Sequence, residues 1–287
     1  MTLTIFILRL AVSVLLLPLF LLNFLGLWTW ICKKWFPYFL VSFSETYNKQ
    51  MASKKRELFS NLLDYAGPSG KLSLLELGCG TGTNFRFYPP GCRVTCVDPN
   101  PNFEKFLIKS IAENRHLQFE RFMVASGENM HLLPDGSMDA VVCTLVLCSV
   151  ESQEQTLQEV CRVLRPRPLR RSSGRDRRSA PTGGRRRARN CPNWPIRGGG
   201  AFLAFAALLG GAFYFMEHVA AERSTWNYFW QQVLCPAWYL LFDGCNLTRE
   251  SWKAVEKAGF SRLQLQHLQA PLTWELVRPH IYGYAVK

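Results

Sequence analysis

Leu72-Ser-Leu-Leu-Glu-Leu-Gly-Cys-Gly-Thr-Gly82 and the nearby Arg93-Val-Thr-Cys-Val-Asp98 are the two stretches that decide the fold. Residues 72–77 form a short apolar run that reads as a buried strand. It empties into a turn of Gly78, Gly80 and Gly82, where missing side chains let backbone approach a ligand closely. Residues 93–97 read as a neighbouring strand ending in Asp98, twenty residues after Gly78 and suited to accept hydrogen bonds from a ribose diol. Strand, glycine turn, strand and acid in that order describe a nucleotide site at the carboxyl ends of parallel strands. The spacing departs from the dinucleotide fingerprint G-x-G-x-x-G: the third glycine comes one residue early, and Glu76 stands two residues before the first.

The pattern Glu-x-Gly-x-Gly-x-Gly over residues 76–82 resembles motif I of the class I S-adenosylmethionine-dependent methyltransferases. The resemblance implies an α/β, Rossmann-like fold with a seven-stranded sheet, and S-adenosyl-L-methionine as cofactor. It further implies that the loop at Gly78, Gly80 and Gly82 wraps the methionine half of the cofactor. Glu76 then helps hold the loop and the amino group, and Asp98 takes the ribose. Glu128 and Asn129 fall near where the family sets an acid or amide against the adenine, in a slightly different register. Residues 83–87 are short for the helix that follows the loop in that family.

The rest of the domain reads in the same sense. Residues 45–66 carry apolar positions at helical spacing and stop at Gly67-Pro68. A helix there either lids the cofactor, as in the family, or packs between anchor and sheet. Helices are expected over 102–111 and 156–164, and over 249–258 with Thr248 as cap and Gly259 as stop. Strands are expected over 117–124 and 140–147, the latter a continuous apolar run fit for a central parallel strand. Residues 263–268 and 281–286 would be the antiparallel pair that closes the family's sheet.

At 287 residues and 48% hydrophobic content, the chain fits one domain with appendages. Its net charge of +13 is not spread evenly. Residues 167–197 hold eleven arginines, no lysine and one acid, a net +10, which leaves +3 for everything else. A nucleic-acid arm is not expected, because no aromatic platform is interleaved with the arginines for base stacking. The ten cysteines include no C-x-x-C pair. Buried reduced thiols in a cytosol-facing domain are expected, with neither disulfides nor a metal.

Residues 1–35 read as a hydrophobic membrane anchor. From Leu10 to Ile31 there are twenty-two residues without a charge, enough to cross about 30 Å of hydrocarbon. Bulky Trp28, Trp30 and Trp35 stand where a signal peptidase needs small residues, and suit a membrane interface instead. Lys33 and Lys34 put the catalytic part on the cytosolic side. Pro18 and Asn23 leave open a shallow hairpin or in-plane anchor in place of a full span.

Two segments, 44–166 and 210–287, make up the catalytic domain, and 167–209 interrupts it. Joining Pro166 to Gly210 restores Leu-Arg-Pro-Gly-Gly-Ala-Phe-Tyr-Phe, the family's run into strand five. The intervening segment, rich in Arg, Gly and Pro, has the composition of GC-rich non-coding sequence read in frame, the mark of a retained intron or a misplaced exon edge. As protein it is expected to be a disordered loop.

Beyond Glu217-His218 the chain turns aromatic, with Trp226, Tyr228, Phe229, Trp230, Trp238, Tyr239 and Phe242. These form either a core helix pair or an apolar substrate pocket above the methyl group. With the stretches at 54–59, 88–96, 98–106 and 143–150, the chain resembles the thiol S-methyltransferase family over all but 167–209. That resemblance implies a monotopic protein of the endoplasmic reticulum and lipid droplets that methylates small lipophilic alkyl thiols. The family gives no catalytic triad to transfer. His218 is the first candidate general base, with Asp243 behind it. A lipid or quinone methyltransferase and a non-catalytic lipid-droplet or endoplasmic-reticulum surface protein are the alternatives. Oligomeric state is left unassigned.

Overall fold

The computed structural model describes residues 2–67, 70–166 and 210–287. Seven strands form one sheet: β1 (Ser73–Leu77), β2 (Arg93–Asp98), β3 (Gln118–Val124), β4 (Ala140–Thr144), β5 (Ala212–His218), β6 (Arg262–Gln269) and β7 (Pro279–Val286). Their spatial order is β3-β2-β1-β4-β5-β7-β6. β1 to β5 pair in parallel, and β7 runs antiparallel to both β5 and β6. The central strands read as unbroken apolar runs because helices cover both faces of the sheet. On one face Leu74, Val142 and Tyr214 pack against Leu58, Phe59 and Leu62. On the other, Leu75, Val141 and Phe213 pack with Leu157 and Val160. The strand order reverses between β1 and β4, and a crevice opens there at the carboxyl ends, where such sheets bind ligands.

The helices are α1 (Thr2–Leu15), α2 (Leu17–Phe24), α3 (Leu27–Phe59), α4 (Glu104–Glu113), α5 (Gln153–Val163), α6 (Trp226–Leu241) and α7 (Ser251–Lys257). The uncharged N-terminal stretch is not one continuous helix. It breaks after Leu15, where Pro18 fits the first turn of α2, and again at Gly26, whose φ of 74° ends α2 and starts α3. Among the described residues no single helix is long and apolar enough to cross a membrane, and α1 and α2 form a pair bent by 66°. α3 then runs through Pro37 without interruption, so the expected anchor end and the expected lid are parts of one helix.

Of two smaller expectations, the short segment after the loop holds and the cap of the last helix is corrected. The motif loop is followed only by the short 3-10 turn Phe85–Phe87, because Pro89 and Pro90 stop any helix there. Thr248 does not cap α7; its backbone N–H and hydroxyl both donate to Asn246 Oδ1 at 2.9 Å, closing the preceding turn.

The chain on either side of residues 167–209 meets directly. Arg165 N–H donates to Met138 O at 2.8 Å, Gly211 N–H to Arg165 O at 2.8 Å, and Ala212 N–H to Asp139 O at 3.0 Å. A side chain at Gly211 would fall 2.9 Å from Leu164 Cδ2 and 3.1 Å from Asp139 O, so the seam admits only glycine without a shift. The expectations for 167–209 itself lie outside the described residues.

Candidate active site

The loop after β1 is fastened to β2 by Gly78 N–H and Cys79 N–H, which donate to Val97 O at 2.8 and 3.2 Å. Gly78 and Gly80 have φ of 61° and 49°, the left-handed region that L side chains avoid. A Cβ on Gly78 would also lie 2.3 Å from Val146 Cγ2. The loop walls a cavity of 430 Å³ with Glu76, Asp98, Ser126 and Glu128. Asp98 accepts from Gly80 N–H at 3.0 Å and from Asn100 N–H at 2.9 Å. Its oxygens keep lone pairs for two more donors, which fits a ribose diol. Burial pushes the Asp98 carboxyl up to about 7, against the pull of those two backbone bonds.

Below the loop lies a buried polar chain. Glu76 accepts from Asn84 Nδ2 at 2.6 Å and from the Tyr88 hydroxyl. Asn84 Oδ1 in turn accepts from Lys55 Nζ at 2.6 Å, and Lys55 also donates to Asn48 Oδ1 at 2.7 Å. Burial shifts both end groups toward their neutral forms, Glu76 up to about 8 and Lys55 down to about 7.

α3 is the roof. Phe36, Leu40, Phe43 and Tyr47, at helical spacing, all face the cavity. Two amides pin it there: Asn48 Nδ2 donates to Thr83 O at 2.9 Å, and Asn100 Nδ2 to Lys33 O at 2.9 Å.

A second, apolar cavity of 80 Å³ adjoins the first beneath the same roof, with Leu145 and Ser149 common to both walls. Leu145 holds a φ of 59°, a strained conformation that costs about 1–3 kcal/mol and turns the chain sharply at the end of β4. The far wall is aromatic. Ring centroids of Trp238 and Phe242 are 4.2 Å apart, and Trp274 lies 5.7 Å from Trp238. At the floor His218 Nε2 lies 3.0 Å from Cys245 Sγ, which lies 3.5 Å from Cys148 Sγ and accepts from Trp238 Nε1–H at 3.2 Å. Burial acts to lower the His218 pKa, but the Cys148 and Glu217 charges outweigh it and leave the imidazole raised. Burial takes neighbouring His280 down to about 3. Tyr47 Oη, His218 Nδ1 and His280 Nε2, all on residues of this cavity, are buried with no hydrogen-bond partner among the described residues.

The methyltransferase domain family matches residues 75–168. Human thiol S-methyltransferase TMT1A is 70% identical over 287 residues, covering 100% of each chain. Rat thiol S-methyltransferase TMT1B is 51% identical over 280 residues, covering 98% of this chain and 97% of its own. The chain belongs to the thiol S-methyltransferase family. Two solved structures share the fold of this family member at low identity. CurJ carbon methyltransferase has a TM-score of 0.53 at 16% identity, over 86% of this chain and 58% of that one. Geranyl diphosphate C-methyltransferase from Streptomyces coelicolor A3(2) has a TM-score of 0.50 at 14% identity, over 83% and 80%.

Within this thiol S-methyltransferase family member the residues singled out in the sequence separate into groups. Glu76, Gly78, Gly80, Asp98 and Glu128 line the larger cavity, and Glu128 also accepts from Glu151 N–H at 2.6 Å. Gly82 does not line it. A Cβ there would strike Phe85, Ser110 and Leu107, so this glycine lets the loop pack on α4. Asn129 is also outside the lining, with Oδ1 2.8 Å from His131 Nδ1. His218 lies at the floor of the apolar cavity. Asp243, the second candidate, belongs to the wall of the larger cavity instead, so the two candidate bases lie in different cavities. Trp238 and Phe242 line the apolar cavity, as one of the two readings of the aromatic stretch had it, while Lys55, Asn84, Cys148 and Cys245 were not anticipated as site residues. Lys55 had a signal: it occupies a helical position in register with Met51, Leu58 and Leu62, on the face that enters the core.

Proposed function

We propose that this chain transfers the methyl group of S-adenosylmethionine to a small lipophilic thiol seated in the apolar cavity. The observation that carries the reading is the pair of cavities separated by Leu145: a backbone-lined, ribose-competent pocket against an aromatic one with a sulfur-and-imidazole floor. When bound, the cofactor supplies a sulfonium methyl, already an activated electrophile. Asp98 would hold the ribose, the Gly78–Gly80 backbone the methionine half, and Glu76, through the Asn84–Lys55 chain, the loop itself. Ser126 and Glu128 line the side left for the adenine. The aromatic wall fixes the alkyl part of the acceptor and excludes water. Its sulfur lies toward His218 and Cys245, where loss of the thiol proton gives the nucleophile. Free thiols titrate near about 8.5, so little help is needed beyond alignment for in-line attack. Asp243 is assigned to the cofactor side.

Attachment to a membrane surface belongs to the same reading. α1 and α2 expose Leu3, Phe6, Leu10, Leu17, Phe24 and Leu25, and α1 packs against α6, which exposes Trp226 and Trp230. A groove of 530 Å³ beside α6 includes Trp238, Phe242 and Trp274, three residues of the acceptor cavity wall. A lipophilic thiol dissolved in the bilayer would reach the site along it. The endoplasmic-reticulum and lipid-droplet location, with the domain on the cytosolic side, rests on the family resemblance and on Lys33 and Lys34.

The test is product analysis on the full chain with an alkanethiol and a phenol of matched size. Thioether from the first, with little ether from the second, is expected. Methylation of the phenol alone would sink the thiol assignment. Flotation with neutral liposomes should carry the wild-type chain upward, and a Trp226→Ser, Trp230→Ser double variant less of it. Equal flotation would remove these tryptophans from the membrane contact.

A further inference from the structure

We propose that Cys148, His218 and Cys245 bind one zinc ion whose fourth position opens into the acceptor cavity and takes the substrate sulfur. The open-position half of this rests on the acceptor reading above; the three-ligand half does not.

The donor atoms, Cys148 Sγ, His218 Nε2 and Cys245 Sγ, all lie within 4.8 Å of one another. They come from three separate parts of the chain: the turn after β4, the last residue of β5, and the turn after α6. The two cysteine turns are tied through backbone, since Asn246 N–H donates to Cys148 O at 3.0 Å. Asp243 and Gly244, with φ of 47° and 83°, curl the chain so that Cys245 points back at His218. The spacing of the two cysteine turns is therefore set by the main chain.

The distances suit a small tetrahedral ion. Zinc–sulfur bonds of about 2.3 Å and zinc–nitrogen bonds of about 2.0 Å imply roughly 3.8 Å between two sulfurs and 3.5 Å between sulfur and nitrogen. The corresponding separations here are 3.5 and 3.0 Å, so the ligands need open by only a few tenths of an ångström. Two thiolates and an imidazole favour zinc over magnesium or calcium, which take oxygen ligands. Three protein ligands with one position left over is the arrangement of catalytic rather than structural zinc.

A second observation points the same way. The indole N–H of Trp238 can only donate, and it is aimed at Cys245 Sγ at 3.2 Å. A donor on a ligand sulfur stabilises the thiolate that a metal requires, the usual role of a residue just outside a metal site. The open side is the cavity itself, walled by Leu145, Phe242 and Trp274. There an acceptor thiol would ligate as its S–H bond breaks and the proton passes to bulk solvent through the groove by which the thiol enters. Its carbon–sulfur bond then forms as the sulfonium–methyl bond breaks. The neutral thioether that results is a poorer ligand and departs.

The experiment uses the full chain in detergent, purified with reductant and without added chelator. Metal analysis should find one zinc per chain. Exchange for cobalt(II) should give a thiolate-to-cobalt charge-transfer band and the visible bands of a tetrahedral site. A Cys148→Ser, Cys245→Ser double variant should lose both the metal and the band while still binding S-adenosylhomocysteine, which shows that it is folded. Trp238→Phe should weaken zinc about tenfold. Adding an alkanethiol to the cobalt form should shift the visible bands. Equal metal content in wild type and double variant, or a cobalt spectrum without the charge-transfer band, overturns the site. A bound metal whose spectrum ignores the thiol overturns the open position. A zinc-loaded chain that shows the thiol shift but makes no thioether supports the site and sinks the functional reading instead.

Discussion

The two cavities beneath α3 are built on opposite principles. The larger is walled by main chain and polar side chains: a glycine loop hung on Val97 O, Asp98 held by two backbone amides, and a buried amide–carboxylate–lysine chain below. The smaller is walled mainly by rings and aliphatic side chains, with its sulfur and imidazole groups gathered at the floor. A cofactor presents the same ribose and amino acid at every turnover, so fixed directional bonds suit it. An acceptor defined mainly by its grease and one sulfur needs shape, dryness and a single reactive point. Among the described residues after β4, Leu145, strained at the junction, and Ser149 line both cavities.

That division can be broken from either side. The largest effect is expected on the polar side. Asp98→Asn should weaken S-adenosylmethionine binding by about a hundredfold, since two charge-assisted hydrogen bonds at about 1.5–3 kcal/mol each are at stake. Calorimetry reads this directly, and a change below about threefold would remove Asp98 from the ribose. The same carboxyl sets a pH dependence. Burial holds it near about 7 in the apoprotein, above an unfolded value of about 3.9. The folded chain therefore binds this proton more tightly than the unfolded chain. Asp98's contribution to stability is full below the unfolded value and is lost as pH rises toward 7. Cofactor binding needs the ionised form, so wild-type affinity should be about tenfold weaker at pH 6 than at pH 8. Asp98→Asn should flatten that profile.

On the aromatic side the expected effect is smaller. Trp238→Ala should raise the KM for an alkanethiol about tenfold, roughly 1.4 kcal/mol of lost ring contact, and leave the cofactor Kd unchanged. A parallel loss of cofactor affinity would show that the two cavities are not independent. Deleting residues 167–209 should do least of all. Joining Pro166 to Gly210 leaves the Gly211–Arg165 bond in place, and calorimetry should give a cofactor Kd within about twofold of wild type. A larger change would tie that segment to the site.

Legibility in the sequence follows the same line. The glycine loop and the ribose acid lie between Glu76 and Asp98, where strand, turn and strand are consecutive and each glycine stands out in the sequence, while the α3 roof and the wall from Ser126 to Val146 come from elsewhere in the chain. The sheet was equally open to reading, because β1, β4 and β5 are buried on both faces and appear as short, mostly apolar runs. Gly82 and Asn129 went astray because motif membership does not say which way a residue faces. The acceptor floor had no local signature. Cys148, His218 and Cys245 are brought together by the β4, β5 and α6 connections, and none of their neighbours in sequence marks them. Asp243, the second candidate base, lines the larger cavity and not the apolar one, a placement that its residue type and position in the chain do not reveal. The N-terminal helices defeat a count of uncharged residues because two local breaks, at Pro18 and Gly26, decide their path.

The seam at Gly211 has one more consequence. It sits at the amino end of β5, and seven residues of strand, about 23 Å at 3.3 Å apiece, separate it from His218 at the carboxyl end. The point of attachment lies at the keel, away from the working deck. A fluorophore or affinity handle fixed at that point would report on the molecule without touching its chemistry.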